Sequence, residues 1–152
     1  MNNLWFLWVL LSVLWIALGE YIAHRWVMHR GVLGRNAWWR EHAVEHHGHN
    51  RNDVGIDLSW PTVLLVASPM LLGCIVLGWQ WALFVVGESM FYAWLWTSLH
   101  SAYHEVGCEW IKRWSYYDQW KHHHMLHHDY PNKNYGAVCI WTDYAFGTKA
   151  RS

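Results

Sequence analysis

The sequence is short of charge. Asp, Glu, Lys and Arg make up only 14% of its 152 residues, well below the roughly one quarter usual for soluble globular chains. Net charge is missing too: 11 basic residues balance 11 acidic ones, so there is no basic footprint of the kind that binds nucleic acid. Cysteine is scarce. Cys74, Cys108 and Cys139 are widely spaced and form no C-x-x-C, which argues against a disulfide scaffold or a zinc ribbon. No internal repeat, low-complexity linker or second domain stands out, and residues 1–152 read as one domain. What the chain has in excess is tryptophan, with 15 residues, and histidine, with 13.

The missing charges are missing from three blocks. Leu4 to Ala23 is interrupted only by Ser12, Glu20 and Tyr21, Trp60 to Trp79 carries no charge, and Trp81 to Leu99 has Glu88 alone. A helix of 20 residues is about 30 Å long, the thickness of a bilayer's hydrocarbon core. The blocks are apolar all round, without the polar face that a soluble bundle needs. The expected fold is therefore an all-α integral membrane protein with three transmembrane helices, at about 4–23, 60–79 and 81–99. The first block has no Lys or Arg ahead of it, is too long for a signal peptide and meets no small-residue cleavage site, so it reads as a retained span. Pro69 predicts a kink in the second span. Gly78-Trp79-Gln80 predicts a tight turn that makes the second and third spans a hairpin. Trp and Tyr crowd the block ends, as in interfacial belts. All 11 Lys and Arg follow either the first or the third block. The positive-inside rule then puts both polar segments in the cytoplasm as a helical cap, with the N-terminus outside.

Every histidine lies in those two polar segments, and most fall into four patterned boxes. His24 and His29 form H-x4-H; His42, His46 and His47 form H-x3-H-H; His100 and His104 form H-x3-H; His124, His127 and His128 form H-x2-H-H. Spacings of three and four put imidazoles on one helix face, about 5–6 Å apart at Cβ, where they can converge on one ion. The five-residue spacing of the first box suits an α-helix poorly and points to the end of the span or a local helix distortion. Two metal ions offer about ten to twelve coordination positions, and the boxes hold ten His, so a dinuclear site with room for oxygen or water is expected. Imidazole suits Fe, Zn, Cu and Ni alike. His123 offers an alternative register with His127 and His128, but the set beginning at His124 keeps three rings on one face. His49 and His122 read as supporting or surface residues.

The boxes, their order and the hairpin between the second and third resemble the fatty acid hydroxylase/sterol desaturase superfamily of membrane di-metal oxygenases. The tail adds to the likeness. Tyr117-Asp118, then His127-His128-Asp-Tyr-Pro131-Asn132-Lys133-Asn134-Tyr135-Gly136, then Asp143-Tyr-Ala-Phe146-Gly147-Thr148 are similar to its Y-D, H-H-x-x-P-x-x-N-[FY]-G and W-D-x-x-F-G-T motifs. Thr142 departs from the pattern, with Trp141 displaced by one. The small size is similar to that of bacterial carotenoid hydroxylases, while the tail looks more like the fatty acid and sterol branches.

The resemblance implies O2-dependent hydroxylation of a lipid C–H bond, with the ten box His holding two metals. Iron is expected in the active enzyme, and zinc in some preparations. It also implies an external electron donor of ferredoxin or cytochrome b5 type with its reductase. A desaturase or carotenoid hydroxylase would use the same site. From another class, the alternative is a His-rich membrane metal transporter or binding protein, although a transporter would place its ligands within the spans. Metal-bound imidazoles usually donate their other N–H to a carboxylate or carbonyl. Glu20 (four residues before His24), Glu45, Asp118, His123, Asn134 and Asp143 are the candidates for that outer layer. Glu88, an intramembrane carboxylate about 18 Å along the helix from His100, suits a substrate channel or an interhelical bond.

Overall fold

The structure is a computed structural model that describes residues 3–35, 37–52, 54 and 68–150. Every regular element among them is helical. Helix α1 (Asn3–Ile22) continues without a break as a π-helical segment, Ala23–His29. A short α2 (Ala37–Trp39) likewise runs into a second π-helical segment, Arg40–His49. Then come α3 (Cys74–Leu77), α4 (Trp79–Tyr103), a 3₁₀ turn at Glu109–Arg113, α5 (Tyr117–Asp129) and α6 (Trp141–Ala145).

Among the described residues, two helices are long and apolar enough to cross a membrane, Leu4–His29 and Trp79–Tyr103. Only 22% and 28% of their most apolar stretches are buried within the protein, whereas a soluble core helix buries most of its apolar surface. Phe6, Val13, Leu83 and Phe91 are among the large side chains left outside. Both helices extend beyond the boundaries expected from hydropathy, to His29 rather than residue 23 and over 79–103 rather than 81–99. Hydropathy marks where apolar side chains stop, but the backbone ladder runs on and carries the first and third histidine boxes on the helix ends. Residues 60–67 of the expected second span lie outside the described residues; the described part includes an apolar helical stretch, Ser68–Leu77.

The chain forms two compact units. The first comprises Met1–Gly19 and Leu58–Trp94. Here the helical stretch is interrupted at Leu72–Gly73, where Gly73 N–H donates to Met70 O at 3.0 Å; the segment before Ser68, on which the kink expected at Pro69 would act, lies outside the described residues. The indole of Trp81 fills the space a Cβ on Gly73 would need. Trp81 is fully buried and meets Trp5 and Trp8 edge-on at 5.5 and 5.8 Å. The turn expected over Gly78–Gln80 is confined to Gly78, whose φ of +82° only glycine adopts without strain, and α4 starts at once.

The second unit comprises Glu20–Asp57 and Leu95–Ser152. Its apolar core is Leu99, Ala102, Tyr103, Ile111 and Tyr117. Two buried phenols complete it, Tyr103 donating to Ala137 O at 2.9 Å and Tyr117 to Ala102 O at 2.7 Å. These bonds lock the end of α4 to the start of α5 and to the tail, and so set the helices that carry the last two histidine boxes.

Candidate metal centre

All ten box histidines lie in the second unit, and they meet in two groups of five. His24, His29, His42, His47 and His127 form one, and His46, His100, His104, His124 and His128 the other; within each, the five candidate ligand nitrogens lie within 4.8 Å of one another. The second group is wholly buried, while His29 and His47 of the first are half-buried.

Helix pitch explains the grouping. A π-helix closes i→i+5 hydrogen bonds, so residues five apart stack along it. His24 and His29 share the first π-helical segment and His42 and His47 the second. The awkward spacing of the first box is thus matched by a local helix distortion. The α-helical pitch places residues four apart together: His100 on α4 with His104, just past its end and bonded back from its N–H to His100 O, and His124 with His128 on α5 supply four of the second group. Adjacent residues on a helix point about 100° apart, which divides His46 from His47 and His127 from His128. The second and fourth boxes are therefore shared between the two groups.

The contacts have the geometry of ligands more than of hydrogen bonds. His24 and His42 approach Nε2 to Nε2 at 2.8 Å and His29 and His127 at 3.0 Å. His128 Nε2 lies 3.0 Å from that of His104, 3.1 Å from that of His124 and 3.1 Å from that of His46. One imidazole nitrogen cannot serve three such neighbours by hydrogen bonding. Two nitrogens bound to one ion at about 2.1 Å lie roughly 3.0 Å apart at a right angle and about 3.4 Å at the tetrahedral angle. Both ring nitrogens of His47, and Nδ1 of His100, His124 and His128, are buried without a hydrogen-bond partner. The donor set fits two metal ions, five imidazoles to each, with a sixth position left in an octahedral arrangement.

Burial keeps the rings neutral, as ligands must be. Burial first, and then neighbouring imidazoles, push His104 down to about 4 and His128 to about 2, and hold His42, His47, His124 and His127 well below the usual histidine range. In the metal-free protein the unfolded chain therefore takes up protons first. Stability conferred by these neutral rings is fully present above the unfolded pKa near 6.5 and is lost as pH falls toward the folded value of about 4 for His104. Thermal melts of the metal-free protein are expected to fall steadily across that window and to level off above it; a flat profile would contradict neutral burial.

The outer layer differs from the carboxylate partners expected. His24 Nδ1 donates to Tyr135 O and His127 Nδ1 to Lys133 O, at 2.6 Å for the latter, which leaves each Nε2 facing its group. Backbone carbonyls of the tail thus orient the rings, and the carboxylates orient the tail. Glu20 accepts the N–H groups of Ala137, Val138 and Cys139 at 2.6–3.2 Å. Asp143, fully buried, accepts from Tyr135 N and Thr148 Oγ1 on one oxygen and from Gly136 N and His123 Nε2 on the other. Burial alone would raise its pKa, but the bonds from His123, Thr148, Gly136 and Tyr135 outweigh it and hold the carboxyl below its usual range. Asn134, at φ +54°, donates to His123 O and accepts from Ala150 N, pinning the tail at both ends.

The remaining candidates sit elsewhere. Glu45 is part-exposed and lies 3.7 Å from His49. Asp118 is exposed in the first turn of α5, where a carboxylate faces the helix dipole. Glu88, in the first unit, is hydrogen-bonded to Ser12, with Oε2 buried and unpartnered. His122 and His49 are exposed and outside both groups. Sequence reasoning could not have found the two carbonyl acceptors, because every residue has one; the only sign of them was the Asn-Tyr-Gly run around Tyr135.

A family model described as fatty acid hydroxylase matches residues 9–148. No curated protein and no solved structure gives a significant match.

Proposed function

The chain belongs to the fatty acid hydroxylase family, and on that premise we propose that it is a di-iron membrane oxygenase that hydroxylates a C–H bond of a lipid, whether fatty acyl, sterol or related. The observation that carries the reading is the meeting of ten imidazoles in two groups of five. Iron with O2 supplies the oxidant for an aliphatic C–H bond, which side chains alone cannot provide. The chain's own part is to hold and shield. His24, His29, His42, His47 and His127 would bind one ion and His46, His100, His104, His124 and His128 the other. Tyr135 O and Lys133 O fix two of the rings, and burial of the second group keeps water away from it.

Hydroxylation converts R–H, O2, two protons and two electrons into R–OH and water. The electrons come from an external donor of ferredoxin or cytochrome b5 type. Three spans, with Trp60 to Trp79 as the second, and a cytoplasmic histidine cap follow from hydropathy and from the one-sided distribution of Lys and Arg. Lipids extracted from cells with and without the protein test the reading by mass analysis. A lipid that gains one oxygen only when the protein is present supports it. Loss of two hydrogens instead would mean desaturation at the same site, and unchanged lipids in cells holding the metal-loaded protein would contradict both.

A further inference from the structure

Between Glu20 and Glu41 the chain has no acidic residue, yet it carries Arg25, Arg30, Arg35 and Arg40, one every five residues, interleaved with Trp26, Trp38 and Trp39. The middle of this stretch is a tight turn. Val32 N–H donates to Trp26 O at 3.0 Å and Gly34 N–H to Gly31 O at 2.9 Å, with Gly31 and Gly34 at φ +59° and +84°. At its tip Val32 and Leu33 are 63% and 62% exposed. On either side an arginine lies flat on a tryptophan, Arg30 over Trp26 at 4.3 Å and Arg35 over Trp39 at 5.0 Å. Arg30, Arg35 and Arg40 are exposed, and the ion pairs found among the described residues involve other groups.

An ordered turn gains nothing in water from two aliphatic side chains at its tip. The same turn suits a membrane surface, with the aliphatics among acyl chains, the indoles at the headgroup level and the guanidiniums on lipid phosphates and carboxylates. We propose that Arg30–Arg40 is an interfacial element that binds the anionic leaflet and inserts Val32 and Leu33 into it. The inference rests on the membrane reading above and deepens it. The turn begins directly after His29 and joins the two π-helical segments that carry His24, His29, His42 and His47. Lipid contact here holds the first histidine group, with its half-buried His29 and His47, beside the phase that supplies the substrate. An acidic electron-donor protein is the competing occupant of the arginines, but the aliphatic tip does not suit it.

The test uses the full chain, with Cys74, Cys108 and Cys139 replaced by serine, in nanodiscs of phosphatidylcholine with or without phosphatidylserine. A fluorophore is placed by Val32→Cys, by Asn52→Cys as an aqueous control and by Val13→Cys as a control in the first span. Spin-labelled lipids should quench the label at position 32 and iodide should not, with the reverse at 52. Spin-labelled phosphatidylserine should quench position 32 better than phosphatidylcholine does. Arg30→Gln with Arg35→Gln should reduce that preference by roughly fivefold for each arginine lost. Iodide quenching at 32 equal to that at 52, with position 13 still quenched by lipid, overturns the inference alone. Loss of lipid quenching at position 13 as well would overturn the membrane reading beneath it. Protection of position 32 only when an acidic redox protein is added would assign the arginines to that partner and overturn lipid insertion.

Discussion

Alanine at His128 is expected to reduce bound metal from two ions per chain to one and to abolish lipid oxidation. His128 Nε2 stands within 3.1 Å of three other Nε2 atoms, those of His46, His104 and His124, so it is the ring around which the second group is arranged. Its loss opens a ligand position in a wholly buried cluster. Removing even a supporting partner of a metal ligand costs about 10–100-fold in affinity, and removing the ligand itself should exceed that. The first group shares no ring with the second and should keep its ion. His122→Ala, on the same helix but exposed, should leave both ions and turnover unchanged. Metal analysis of the purified variants, beside activity, checks the pair; two ions in His128→Ala would remove it from the centre.

Asp143→Ala should be the most damaging change away from the imidazoles. Four buried donors converge on this carboxylate; alanine leaves Tyr135 N–H, Gly136 N–H and His123 Nε2 without it, and Thr148 Oγ1 keeps only Tyr21 Oη at 3.0 Å. A broken buried charged network typically costs about 3–5 kcal/mol, a large fraction of the stability of a domain this size. The damage should also reach the metals by a defined route. Tyr135 and Gly136 lose their anchor, Tyr135 O shifts from His24 Nδ1, and the first group loses affinity before the second. Asp143→Asn keeps the shape and one acceptor oxygen and should fall between alanine and the native residue. Thermal unfolding with metal content measures both effects. A variant with native stability but depleted metal would show that Asp143 acts on the centre without holding the tail.

The helical class, two of the three apolar spans and the ten rings that meet in the two groups could be picked out from the sequence, because hydropathy and histidine spacing are local signals. It did not disclose how the rings are shared. Helix pitch decides that, and nothing in residues 37–49 announces that His42 pairs with His47 along a π-helix instead of with His46 along an α-helix. Only the first box, with its five-residue interval, hinted at the distortion. Glu20 was placed beside His24 by helical arithmetic that was sound for the helix, but its carboxylate is taken by the N–H groups of Ala137, Val138 and Cys139, 117 to 119 residues away. Contacts of that range leave no local trace. Asp143 and Asn134 could be singled out only through a motif; their physical role, fixing the loop whose carbonyls orient His24 and His127, is a property of the folded tail.

Anaerobic iron(II) titration of two double variants tests the grouping most directly. His46→Ala with His128→Ala takes two ligands from one group, whereas His46→Ala with His47→Ala takes one from each. The first pair should retain one site of native affinity and the second pair none. If each sequence box served a single ion, the outcome would reverse: the adjacent pair would keep one intact site, and the pair drawn from two boxes would weaken both. That reversal would contradict the two five-histidine groups on which the account rests.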